Sequence, residues 1–387
     1  MLSVQPLLWL FSQAQNIFFV IIGLFGIGFL IGFHELGHFL FCKLFKISTP
    51  SFSIGFGPTI FTKKIGDTVF KLSAIPFGGY VEIAGSPEIG QGEQKEALNE
   101  DASSFAVKPF YQKFLVMIGG ISFNLLFSYV TFVLLFMTGI PKTSIMHADN
   151  MRPVIANIQE GSAAAQYGLQ EGDKIIAIND IVINNNIQQL LETVAPLADQ
   201  QATVIVERDG NEQSIILTIG SKELLGKKIG SLGVSFTVIE LPGLPFFQAI
   251  KQGIKTTNQW IYNTIYGFTH LFKKRDVSNM AGPVMILAMT IKSAAEGLKV
   301  FFIFLAIISV NLAVLNMIPL PILDGGQILF YAIEAIIRRP LSMRLREYIH
   351  LATWFAFLIL FLYLTIQDIS RIASPHIETL LRYIGWR

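Results

Sequence analysis

The chain has 387 residues, 52% of them hydrophobic and 14% charged, with a mean hydropathy of +0.54. So apolar a composition excludes a wholly soluble protein of this size and fits membrane helices joined to water-facing parts. The net charge of +2 gives no basic signature for nucleic acid, and a single cysteine, Cys42, excludes an internal disulfide.

The first stretch long enough to cross lipid, which takes about 20 apolar residues, runs from Asn16 to Phe41. No residue from Met1 to Phe33 is charged, and then His34-Glu35-Leu36-Gly37-His38 follows. The stretch is too long, and lacks the basic leader, for a cleavable signal peptide. Cys42 reads as a small buried apolar residue rather than a soft ligand.

Residues 47–85 read as extended, with strand-like runs at Ser53–Phe61 and Thr68–Gly85 broken by Gly and Pro. A hairpin dipping into the membrane and a surface hairpin both fit. Residues 86–106 are polar and acidic and read as a flexible loop. Phe114–Pro141 is a second span without charge.

Residues 145–240 read as an independent water-facing α+β unit. A short helix is expected at Asn186–Val194, and a hairpin over Gln201–Ile219 turns at Asp209-Gly210. The run Gly161-Ser162-Ala163-Ala164-Ala165, Gly168-Leu169, Gly172-Asp173-Lys174-Ile175-Ile176 and Ile178-Asn179 resembles a bacterial PDZ domain. Such domains bind extended peptides by strand addition. The accepting edge is expected near Val154–Ile158.

Residues 242–275 are amphipathic, with Phe246, Phe247, Trp260, Tyr262, Tyr266 and Phe268 among Gln, Lys and Asn, and read as one or two helices lying at the membrane surface. The third span is Val300–Leu323 and the fourth Leu351–Gln367. Lys43, Lys46, Lys63, Lys64, Lys71, Lys108 and Lys113 follow the first span, and Arg338, Arg339, Arg344 and Arg346 follow the third. By the positive-inside rule both loops are cytoplasmic, and the region between spans two and three is outside.

On a helix, positions i and i+4 share a face, so His34 and His38 can point two imidazoles at one metal, with Glu35 beside a metal-bound water as general base. Five residues of this pattern arise often by chance. At membrane depth, where every ionisable group carries a desolvation cost, chance explains them poorly. A catalytic zinc takes a third protein ligand. Asp324, closing Asn316-Met-Ile-Pro319-Leu-Pro321-Ile-Leu-Asp324-Gly325-Gly326 at the same cytoplasmic level, is the candidate.

Together these motifs resemble the site-2 protease family of intramembrane zinc metalloproteases, and the order of elements that of its bacterial sigma-E-regulating branch. Further matches are Gly120-Ile-Ser-Phe-Asn124, Gly55-Phe56-Gly57-Pro58, Pro76-Phe77-Gly78-Gly79-Tyr80-Val81 and Gly282-Pro283-Val284. The resemblance covers essentially the whole chain. It implies Zn2+ held by His34, His38 and Asp324, Glu35 as catalytic base, and substrate-positioning roles for Asn124, Asn316 and Pro321. It also implies a membrane-dipping β element over residues 55–85. Two departures stand out: enterobacterial members carry two PDZ domains and this chain has room for one, and Ile121 stands where the family usually has Pro after Gly120.

The expected fold is a polytopic α-helical membrane protein of about four transmembrane helices with a membrane-associated β element and one α+β PDZ domain. Its parts are residues 1–144 (helices 1 and 2 with the β element), 145–240 (PDZ), 241–298 (interfacial helical segment) and 299–387 (helices 3 and 4). The expected activity is cleavage of single-span membrane proteins within the bilayer of a bacterial inner membrane. Anti-sigma factors and remnant signal peptides are the substrate classes that the resemblance suggests, with a peptide ligand of the PDZ domain as a further partner. A PDZ-bearing scaffold, a tethered protease with a water-exposed site and a metal transporter are the competing readings. Intact acid and imidazole groups, apolar flanks around His34–His38, and few other intramembrane carboxylates count against them in turn.

Overall fold

The computed structural model describes residues 5–86, 101–146, 150–224, 227–274, 280–339 and 341–383. The chain divides into two compact units, one of residues 1–134 and 250–387 and one of residues 135–249.

Among the described residues, four helices contain segments long and apolar enough to cross a membrane: Ile17–Leu44, Phe110–Thr138, Leu298–Asn316 and Arg344–Ala373. The first of these belongs to α1 (Gln5–Leu44). It is followed by a ribbon of β1 (Ser51–Ile65) and β2 (Thr68–Val81) and then by α2 (Phe110–Thr138). Phe52 of β1 pairs with Phe70 and also with Val81, so two segments of β2 flank the start of β1 and the ribbon curls into a small sheet. The ribbon leaves Phe56, Ile60, Phe61, Leu72 and Ile75 exposed.

Residues 87–100 of the expected flexible loop lie outside the described residues. Residues 101–106 do not behave as such a loop. Phe105 is buried among Val81, Val116 and Tyr331, and its N–H donates to the Ala84 carbonyl. One aromatic anchor thus outweighs the polar composition of its neighbours.

The helices meet where side chains are smallest. A Cβ on Gly37 of α1 would collide with the Gly119 carbonyl of α2, and one on Gly119 would lie 2.8 Å from the Gly37 carbonyl oxygen. Small residues let two apolar helices approach this closely, and dispersion rather than water exclusion then holds them in lipid. On the way to the third apolar helix, the Ser309 hydroxyl donates to the Asn124 carbonyl at 2.9 Å and that of Ser128 donates to the Ala306 carbonyl at 2.8 Å.

The second unit carries a sheet. Its strands, in chain order, are β3 (Met151–Ile158), β4 (Lys174–Ile178), β5 (Ile181–Val182), β6 (Gln201–Arg208) and β7 (Asn211–Thr218). The ribbon β8 (Gly220–Leu224) and β9 (Lys227–Ser231) and then β10 (Val234–Val238) follow. The order across the sheet is β10-β3-β4-β6-β7, with β5 on β4. Helix α3 (Ala163–Gln166) and helix α4 (Ile187–Val194) complete the unit, and Asn186 caps α4 by accepting from Gln188 and Gln189 N–H. Left-handed Asp209 and Gly210 make the β6–β7 turn. The expected accepting edge at Val154–Ile158 is wrong: β3 has neighbours on both sides, and β10 is the edge strand on that side of the sheet. Closure by a strand from the far end of the unit covers β3, and local sequence around Val154 carries no sign of it.

Helix α5 (Phe246–Lys274) is a single helix of 29 residues. From Ile250 onward it belongs to the first unit. There Thr264 donates to Asn311 at 2.7 Å and Tyr129 donates to Asn258 at 2.6 Å, so this helix also packs against spans two and three. Helix α6 (Pro283–Ala295) precedes α7 (Leu298–Asn316), α8 (Asp324–Ile337) and α9 (Met343–Tyr383).

A salt link fixes the sheet unit. Arg208 meets the carboxylate of Asp173 twice at 2.7 Å, and the Gln170 N–H donates to Asp173 at 2.8 Å. Burial alone would raise the Asp173 carboxyl's pKa, but the Arg208 and Gln170 hydrogen bonds outweigh it and hold the value below the usual range. A depressed carboxyl stabilises the fold above its unfolded pKa of about 3.9 and loses that contribution as pH falls below it. Arg208→Ala strands a buried carboxylate and should cost about 3 kcal/mol. Urea-dependent pulse proteolysis of the detergent-solubilised chain should show the loss at pH 7 and a narrowing gap below pH ~4. Equal midpoints at pH 7 would show that the link contributes nothing.

Candidate metal centre

His34 and His38 lie one turn apart on α1, and Asp324 is the first residue of α8. The sequence placed Asp324 at the end of the third span. In the structure that span ends at Asn316, and Asp324 opens a new helix after the turn through Pro319 and Pro321. The two histidine Nε2 atoms are 3.1 Å apart, His34 Nε2 is 3.2 Å from Asp324 Oδ2, and His38 Nε2 is 3.5 Å from Asp324 Oδ1. Ligands on a tetrahedral zinc at 2.0–2.1 Å are separated by about 3.3 Å. The three observed separations bracket that edge length. Among the described residues these three form the His/Cys/Asp/Glu group with metal-binding spacing.

Hydrogen bonding constrains what the ring nitrogens offer. His38 Nδ1 lies 2.8 Å from the Val116 carbonyl, an acceptor only, so Nδ1 carries a proton, and in the neutral imidazole Nε2 presents its lone pair inward. His34 Nδ1 faces the side-chain amide of Asn124 at 3.1 Å, and the Asn124 Oδ1 is buried without a partner. The two ends of an amide are told apart only by their hydrogen bonds. With Oδ1 turned to His34, that oxygen is satisfied, Nδ1 is protonated, and the His34 Nε2 lone pair also faces inward. Asp324 Oδ2 is likewise buried without a hydrogen-bond donor. In these neutral tautomers the lone pairs converge on one point, an arrangement that fits a cation.

Other groups frame the centre. Glu35 is buried and accepts from the Val81 N–H at 3.1 Å, which sets its carboxylate beside the end of β2 and outside the trio. Asn316, the last residue of α7, places Nδ2 3.5 Å from His34 Nε2. Pro321 lies in the turn ahead of Asp324, and its carbonyl accepts from Gln327 at 2.9 Å. Asn124, expected to position substrate, lies with its amide against the His34 imidazole. The buried pair Gln327 and His350 escaped the sequence analysis. Cys42 is buried and is not among the clustered groups.

The profile of peptidase family M50 matches residues 22–361. The chain belongs to that family. It is 32% identical over 359 residues to a Campylobacter jejuni protein provisionally named zinc metalloprotease Cj1068, covering 89% of this chain and 92% of the relative. Zinc metalloprotease RasP of Geobacillus kaustophilus is 28% identical over 416 residues, covering 89% and 96%. A Clostridium perfringens protein provisionally named zinc metalloprotease CPE1693 is 30% identical over 356 residues, covering 91% and 98%. The family assignment agrees with the resemblance read from the motifs, and with it the chain is a membrane metalloprotease.

Gly120 tests the packing that brings the imidazoles together. A Cβ there would overlap His38 Nε2 and come within 2.5 Å of His34 Cε1. Gly120→Ala should cut the bound divalent metal of purified protein about tenfold or more, read by atomic emission after dialysis. Full occupancy would mean that the imidazoles do not depend on this crossing.

Proposed function

We propose that this chain is an intramembrane zinc metalloendopeptidase whose zinc is held by His34, His38 and Asp324, with Glu35 as general base. The observation that carries the reading is the convergence of two imidazole nitrogens and a carboxylate at the end of an apolar helix. Family membership and relatives named as zinc metalloproteases supply the reaction class and the metal.

Zinc, when bound, supplies Lewis acidity that activates water and polarises the scissile carbonyl. Glu35 takes the proton of the attacking water and hands it to the leaving amine. The Val81 N–H orients its carboxylate for both transfers. A transmembrane substrate hides its carbonyls in helical hydrogen bonds and must be unwound locally before attack. The curled β1–β2 ribbon, whose apolar side chains face outward, gives the unwound segment a strand partner within the membrane. Asn316, whose amide lies 3.5 Å from His34 Nε2, is the group we assign to hold a substrate carbonyl. Asn124 acts through His34, and Pro321 shapes the turn that delivers Asp324.

The substrates in this reading are single-span membrane proteins, with anti-sigma factors and remnant signal peptides as the classes suggested by resemblance. Lysine and arginine placement puts the metal centre near the cytoplasmic face of a bacterial inner membrane and residues 145–240 outside. We assign those residues as a single PDZ domain, and residues 241–298 as a helical segment that lies at the interface. A cavity of 710 Å³ between α4 and β10, lined by Ile187, Leu191, Leu232, Val234 and Phe236, opens beside the free edge of β10. An extended peptide adding to that edge would seat alternate side chains in the cavity. The signal for this edge is Gly230-Ser231-Leu232-Gly233-Val234, which leads into the strand.

Glu35→Gln keeps the shape of the side chain and removes its basicity. The variant should retain zinc while cleavage of a single-span reporter in native membranes falls about 10²–10⁴-fold. Cleavage at the wild-type rate would remove Glu35 from the chemistry, and loss of zinc would make it a ligand.

A further inference from the structure

Asp324 reaches the two histidines from a separate part of the chain, so something must hold the turn that presents it. Part of the hold is backbone: the Leu323 N–H donates to Leu320 at 2.8 Å, and the Gly326 and Gln327 N–H groups donate to Leu323 at 3.0 and 3.2 Å. A further bond comes from a side chain. Gln327 Nε2 donates to the Pro321 carbonyl at 2.9 Å and lies 3.3 Å from Nε2 of His350 on α9. Both side chains are almost fully buried, at 6% and 9% exposure.

The chemistry of these contacts has one consistent assignment. A carbonyl accepts only, so the amide nitrogen must face Pro321. The second hydrogen of the same nitrogen then points at His350, whose Nε2 must carry a lone pair and whose proton must sit on Nδ1. His350 itself is held by ring packing on Phe330 at 5.7 Å. Phe330 is capped by Arg346 at 5.6 Å, and Arg346 pairs with Glu334 at 2.9 Å. A chain of contacts thus runs from the fourth span through one amide to the turn that carries Asp324.

We propose that Gln327 and His350 are a positioning pair: His350 orients the Gln327 amide, which clamps the Pro321 carbonyl and so fixes where Asp324 presents its carboxylate to the metal. The inference rests on Asp324 being a zinc ligand. Neither residue touches the metal or the substrate, and both act through the turn. Partners that orient a metal ligand typically matter 10–100-fold in affinity when removed.

The test uses the full-length chain purified in detergent, zinc competed with a chelator, and kcat and KM on a single-span reporter. Gln327→Leu should weaken zinc binding about 10–100-fold and lower kcat with KM unchanged. His350→Leu should move both in the same direction. His350→Gln, whose Oε1 accepts the same hydrogen bond, should restore most of the loss. The Gln327→Leu/His350→Leu double variant should be no worse than Gln327→Leu alone, because His350 acts through Gln327. Wild-type zinc affinity in both single Leu variants, equal damage from His350→Leu and His350→Gln, or additive losses would each overturn the proposal. Should Gln327→Leu fail to accumulate in membranes, the His350 pair decides. An absence of zinc from the wild-type protein would instead refute the metal-site reading on which the inference stands.

Discussion

Three acceptor atoms that face one another in a dry place constrain the rest of this molecule. Two imidazole nitrogens and the two oxygens of one carboxylate lie 3.1–3.5 Å apart around a common point. Without a cation the arrangement is costly, because the groups have lost water and, among the described residues, only His34 Nε2 has a donor near it, the Asn316 amide at 3.5 Å. With one, desolvation strengthens every bond to it. Placing the trio at the end of an apolar span makes the cost larger and the need for an exact backbone stronger.

The fold meets that need with simple devices. Glycines at the α1–α2 crossing bring Val116 and Asn124 to the outer faces of the two imidazoles. Hydroxyls on α2 and α7 bond across to the opposite backbone. A proline-broken turn ends the third span early and starts a new helix on Asp324, so its carboxylate arrives across from α1. The β2 strand closes the other flank and orients Glu35 by one N–H. Contacts among α1, α2, α7 and α8 meet at the centre.

How much of this the sequence disclosed follows from whether a signal is local. His34 and His38 were legible because i and i+4 on a helix is a local rule, and the four apolar stretches because lipid sets their length. Gln201–Ile219 was legible from its Asp-Gly turn. Asp324 was legible as a residue but not as an element, since Pro319 and Pro321 mark a break without saying that a helix restarts. The sheet edge was misplaced because the strand covering β3 lies about 80 residues later. Phe105 was lost in a polar stretch, its partners being on other elements. Gln327 and His350 carry no pattern at all, for each is meaningful only beside the other.

The central claim is that His34, His38 and Asp324 bind one zinc ion together, and X-ray absorption at the zinc edge of the purified chain tests it most directly. The account predicts a four-coordinate first shell of two imidazole nitrogens and two oxygens near 2.0–2.1 Å, with no sulfur. In Asp324→Cys one oxygen should be replaced by sulfur near 2.3 Å. A wild-type shell that contains sulfur, or a spectrum that the Asp324→Cys change leaves untouched, would contradict it.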